Sequence, residues 1–170
     1  MSSDFFGQTR TGSLLHGEHQ STLAALVELE TFTSRRTPPE LDETGRAFLL
    51  RLYHLIEADV TDHFTFEETN LFPRLSAVGA SFMVEMLEAE HEDIRALAQD
   101  LRAMIGTFLD DAPVSADHWA QFRTTARDLI DMETFHIQKE EMGLLAALPQ
   151  VLNEADDAAV AAAHPKHTAG

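Results

Sequence analysis

His63-Phe64-Thr65-Phe66-Glu67-Glu68 is the stretch on which the fold turns, because its pattern returns 73 residues later as His136-Ile137-Gln138-Lys139-Glu140-Glu141. Residues four apart lie one turn above each other on one face of an α-helix, so each copy offers an imidazole and a carboxylate side by side. Upstream, Glu18-His19 recurs as Glu90-His91, 72 residues on. The chain reads as a duplicated helical hairpin. Each half contributes one His from its first helix and a His with a Glu from its second.

Composition fits that picture. With 170 residues, 44% hydrophobic and 24% charged, the chain has enough apolar material for one compact domain. Gly (8) and Pro (6) are sparse, and Ala, Leu and Glu are common, which favours helices over strands. A net charge of -17 repels phosphate backbones and anionic lipid, so neither nucleic acid nor a membrane surface is expected as a partner. No cysteine is present, which removes disulfides, thiolate zinc sites and iron–sulfur clusters. The start of the chain shows no signal-peptide pattern, and no apolar run approaches spanning length, so a cytoplasmic location is expected. Nothing in the sequence names a protein partner.

Periodicity predicts an antiparallel up-down four-helix bundle over residues 13–149, preceded by an arm (1–12) and followed by a short helix and disordered tail (150–170). Ser13 reads as the N-cap of a first helix ending near Thr33. Thr37-Pro38-Pro39-Glu40 reads as a capping box with proline at the start of the second. On that second helix Leu49, Leu52, Ile56, Val60, His63 and Glu67 share one stripe. Pro73 and Gly79 close it. A third helix from Ser81 to Leu109 turns Val84, Leu87, His91, Ile94, Ala98, Leu101 and Ile105 inward, and a fourth starts near Ser115 and carries Phe122, Leu129, His136 and Glu140. Tyr53 reads as packing, and His54 and His118 as remote from any site. His164 and His167, in the tail, are expected to do nothing.

Four imidazoles and two carboxylates thus occupy core positions in repeat register. Burying them without a partner costs several kcal/mol per unpaired charge, whereas a divalent or trivalent cation compensates all six. In an antiparallel bundle His19, His63, His91 and His136 meet at one depth, with Glu67 and Glu140 about 6 Å further along their helices. Two carboxylates so placed can bridge a pair of ions, and imidazole with carboxylate suits iron, zinc, copper or manganese, with iron preferred. Glu88-x-x-His91 and Glu133-x-x-His136 also match the Glu-x-x-His of ferritin-like sites. They fall on the third and fourth helices rather than the second and fourth, and that scheme leaves His19 and His63 idle. Glu88 and Glu133 are therefore expected at the surface or behind the ligands.

The pattern His19, His63 with Glu67, His91, and His136 with Glu140 resembles the hemerythrin-like, or HHE cation-binding, family over residues 13–147. The resemblance implies a four-helix bundle around two iron ions with an oxo or hydroxo bridge, and an open position for a small ligand. Oxygen-carrying hemerythrins have five histidines, with a His-x-x-x-His pair on the third helix. Here Leu87 and Arg95 stand at the paired positions around His91, and either His16 or water fills the place.

Two functions follow. One is a protein that binds or senses O2, NO or a related oxidant. The other is an enzyme, catalase-like towards peroxide or a ferroxidase, with acids such as Glu68 or Glu141 delivering protons. A metal-free helical interaction module is the third possibility.

Overall fold

The computed structural model describes residues 9–110 and 113–165. Every regular element among them is helical: α1 (Arg10–Thr33), α2 (Glu43–Glu57), α3 (Phe64–Asn70), α4 (Phe72–Ala77), α5 (Ser81–Leu109), α6 (Ala116–Lys139), α7 (Ala146–Val151) and α8 (Glu154–Ala162). A π turn, Ala58–His63, joins α2 to α3, and a second, Glu140–Leu145, joins α6 to α7. Four rods result, with α1, α2 to α4, α5, and α6 to α7 antiparallel in sequence order, and α8 an extra short helix against α1. No described helix is long and apolar enough to cross a membrane.

The third rod starts and stops where periodicity predicts, at Ser81 and Leu109, and its seven inward positions are all buried. Gly79, at φ 92, supplies the left-handed turn that reverses the chain before it. Ser115 caps the fourth rod as expected, its side chain accepting from the His118 amide.

Two helix starts differ from expectation. The first helix begins at Arg10, capped by Thr9 rather than Ser13. Distant help extends it: the Asp157 carboxylate accepts from the amides of Arg10 (2.8 Å) and Thr11 (3.0 Å), groups otherwise left without partners at a helix start. The second helix begins at Glu43, not among Pro38, Pro39 and Glu40. A residue preceding proline is pushed from helical geometry, which holds Thr37 and Pro38 out, and Asp42 then caps by accepting from the Gly45 amide at 2.8 Å. Pro149 lies inside α7 rather than beyond the helix end. The arm as far as residue 8, with Phe5 and Phe6, and the tail from Lys166, with His167, lie outside the described residues.

Along each rod an apolar segment, then a polar layer, then a second apolar segment follow one another. One cluster gathers Leu29, Leu52, Ile56, Ile94, Ala98, Phe122 and Leu129. The other gathers Leu15, Phe66, Phe72, Leu87, Leu144 and Leu148. Between them on every rod stand the histidines. The core is therefore split by a polar plate, which only compensating partners make tolerable.

Candidate metal centre

His19, His63, Glu67, His91, His136 and Glu140 are all buried and converge in this plate. The imidazoles form two pairs: Nε2 of His19 lies 3.3 Å from Nε2 of His63, and Nε2 of His91 lies 3.1 Å from Nε2 of His136. Two ligand atoms at right angles on an ion with bonds near 2.1 Å stand about 3 Å apart, so both pairs have the spacing of neighbouring ligands.

The carboxylates span the pairs. Glu67 turns Oε1 to His63 (3.3 Å) and Oε2 to His91 (3.5 Å). Glu140 turns Oε2 to His19 (3.1 Å) and Oε1 to His136 (3.0 Å). Two overlapping constellations follow, His19, His63, Glu67 and Glu140, and Glu67, His91, His136 and Glu140, with the ligand atoms of each within 4.8 Å of one another. None of the four oxygens of Glu67 and Glu140 has a hydrogen-bond partner, although both residues are fully buried. Orphaned buried carboxylates facing imidazole nitrogens are what bound metal would satisfy, so these residues fit a metal centre.

Behind the plate lies a ring that sequence reasoning missed. The Nδ1 of every one of the four histidines meets a glutamate: His19 with Glu141 (2.7 Å), His63 with Glu18 (2.8 Å), His91 with Glu68 (2.7 Å) and His136 with Glu90 (2.9 Å). A carboxylate only accepts, so Nδ1 donates and Nε2, turned inward, can offer its lone pair to a cation that displaces its proton. Glu68 and Glu141, candidates for proton delivery in the enzyme reading, here accept from His91 and His19. Each glutamate lies on the rod next to its histidine. The signal was available: Glu18 and Glu90 each precede a ligand His, and Glu68 and Glu141 each follow a ligand Glu.

A cation or a second imidazole sits behind each glutamate. Arg95 bonds Glu68 through Nη2 at 2.8 and 2.9 Å, Lys139 pairs with Glu90, His16 contacts Glu141 at 3.0 Å, and His164 contacts Glu18 at 3.1 Å. Arg95 thus steadies His91 from behind. His16 belongs to neither constellation; its Nδ1 lies on the outer carboxylate. His164, expected to be inert in a loose tail, is instead buried. A helix whose docking depends on contacts 146 residues away carries it there, which no local pattern signals.

Tyr53 packs on the core under the Arg102 guanidinium, and His54 and His118 are exposed. Glu88 is exposed, whereas Glu133 is buried, and its charge favours the protonated form of His136. Phe64 stacks on His91 at 3.7 Å between ring centroids, holding that ring in plane. Both π turns border the plate: the first ends in His63, and the second begins at Glu140. Such wide turns recur at functional sites because they shift the angular phase of the side chains that follow.

Charge in the metal-free plate is balanced by protons. At His19 burial would lower the pKa, but the facing carboxylates of Glu140 and Glu141 outweigh it and raise it to about 9. At His136 burial is likewise outweighed, chiefly by Glu140, and the value again reaches about 9. His63 is also raised, burial yielding to Glu67, Glu140 and Glu18. Burial and the neighbouring Glu140 carboxylate push Glu67 up, while at Glu140 burial is overcome by His136, His19 and His63 and the carboxyl falls well below its ordinary range.

One turn from the plate, a cavity of about 30 Å³ is lined by Thr22, Val60, Ile94, Ala98, Leu129 and Glu133, among others. Thr22, Val60, Ile94 and Glu133 each lie three residues from one of the four histidines, all on the same side. That volume suits one or two small molecules the size of water.

A search among curated proteins finds no match to the chain. The hemerythrin HHE cation binding domain matches residues 11–148, most of the chain and all six converging side chains. With an all-helical bundle and a buried His and carboxylate plate suited to metal, the chain belongs to the hemerythrin HHE cation-binding family.

Proposed function

We propose that this protein holds two iron ions between Glu67 and Glu140 and binds or senses a small oxidant, O2, NO or peroxide, in the cavity beside them. One observation carries the reading. Two buried carboxylates, each turned with one oxygen to either imidazole pair and lacking any hydrogen bond, have the geometry of bridging ligands. His19 and His63 would hold one ion, and His91 and His136 the other. His16 then acts through Glu141 rather than on a metal.

Bound iron supplies reversible electron donation to the small ligand. The chain's own residues do the rest. Ile94, Ala98 and Leu129 give the cavity an apolar lining that disfavours water, which slows proton-dependent loss of a bound oxidant. Glu18, Glu68, Glu90 and Glu141 hold the imidazoles in one tautomer and orientation.

Glu133 favours a second reading, a catalase-like or ferroxidase enzyme. It is a carboxyl group in a cavity otherwise lined by apolar side chains and Thr22, within reach of whatever occupies that space. Metal counting on the purified protein, followed by mixing the reduced form with NO or O2 and the oxidised form with peroxide, tests both. Two irons per chain with a stable adduct supports binding, and sustained O2 release from peroxide supports the enzyme. A chain that retains no iron and takes up none on reconstitution defeats both.

A further inference from the structure

The family match ends at residue 148, and α8 with the residues behind it lies beyond that boundary. His164 nevertheless reaches the plate. It is 1% exposed, and its Nε2 lies 3.1 Å from Glu18 Oε2, the same oxygen that accepts from His63 Nδ1 at 2.8 Å.

The repeat explains why an outside residue is used. In the second half Lys139 pairs with Glu90, the carboxylate that holds His136. Shifted by the 73-residue repeat, the position of Lys139 is Phe66, which has no charge to offer Glu18. His164 packs against that phenylalanine, ring centroids 4.8 Å apart and planes tilted 67°, and presents its nitrogen to Glu18 instead. Asp157 fastens the segment by accepting from the Arg10 and Thr11 amides at the start of α1, the helix that carries Glu18.

We propose that the C-terminal segment completes the metal centre, with His164 as a positioning residue that fixes Glu18 and, through it, the imidazole of His63. This rests on the reading of His63 as a metal ligand. With Oε2 held by two donors, Glu18 has one rotamer in which to receive Nδ1, and the Nε2 lone pair of His63 keeps one direction. The half of the centre served by His19 and His63 therefore depends on residues outside the matched domain. The other half does not.

The test uses the full chain and Co2+ as probe, with the two uptake steps resolved by chelator competition and by visible ligand-field bands. His164→Leu fills the space without a donor, and His164→Gln keeps one. The expected result is that His164→Leu weakens one uptake step about tenfold and alters its band, leaving the other within about threefold, while His164→Gln keeps both near wild type. Should His164→Leu fail to fold, His164→Asn takes its place, its amide being too short to reach Glu18. Unchanged uptake in the donor-less variant, equal weakening of both steps, or equal loss with glutamine overturns the proposal. A wild-type chain that takes up no Co2+ overturns the metal reading as well, which separates the two failures.

Discussion

Glu18 accepts from His63 Nδ1 at 2.8 Å, although its neighbour in sequence is His19. Glu90 does the same for His136 at 2.9 Å, although it adjoins His91. In both halves the first helix of a hairpin secures the ligand of the second. Replacing either glutamate with glutamine leaves the Nδ1 donor facing a weaker acceptor. Metal affinity is expected to fall about 10- to 100-fold for Glu18→Gln and Glu90→Gln, without loss of the fold, as read by chelator competition and circular dichroism.

The two bridging carboxylates are predicted to behave differently in the metal-free protein. Glu140 holds the charge against His19, His63 and His136, so Glu140→Gln strands buried imidazoles and costs about 3 kcal/mol in urea unfolding. Glu67 is raised by burial and by Glu140, so Glu67→Gln removes that repulsion together with the attraction to His63, and the loss of stability is expected to be smaller than for Glu140→Gln. Both variants are expected to lose paired metal binding. Equal destabilisation of the metal-free forms would contradict this division of charge.

Protons and metal compete for the same nitrogens. His19 and His136 titrate at about 9 in the metal-free fold, above the ordinary 6.5, so their protonation stabilises the fold fully below about pH 6.5. That stabilisation is lost as pH rises through about 9. The melting temperature of the metal-free protein should fall across this window. Metal affinity should rise over it, with protons released on uptake at pH 7 and detectable by buffer-dependent calorimetry.

The cavity one turn from the plate predicts a separation of metal loading from ligand access. Ala98→Val adds two carbons to the lining and is expected to slow NO or O2 binding while metal content stays at the wild-type level. Glu133→Gln addresses the catalytic reading. If peroxide is turned over, the rate should drop about a hundredfold or more; if the protein only binds, adduct lifetime is unaffected or longer.

Much of the centre is legible in the sequence because helical periodicity is a local rule. Ser81–Leu109 and its seven inward positions follow from spacing alone, and the His-x-x-x-Glu pairs place an imidazole and a carboxylate on one stripe whatever surrounds them. Helix starts are less legible. Ser13 and Thr37 are sound capping residues, but the chain uses Thr9 and Asp42, because Asp157 reaches the Arg10 and Thr11 amides from the far end of the chain and consecutive prolines keep Thr37 and Pro38 out of the helix.

The sequence by itself determined which six side chains face inward, at which level of the bundle, and with which chemistry, since these depend on residue type and a period of 3.6. Only the tertiary structure decided which carboxylate holds which imidazole, that Arg95 turns to Glu68, that Glu133 enters a cavity, and that His164 closes on Glu18. Those pairings form between rods or between a docked terminal helix and the bundle. They depend on how packed helices bring distant residues within about 3 Å of each other, and no spacing along the chain encodes that distance.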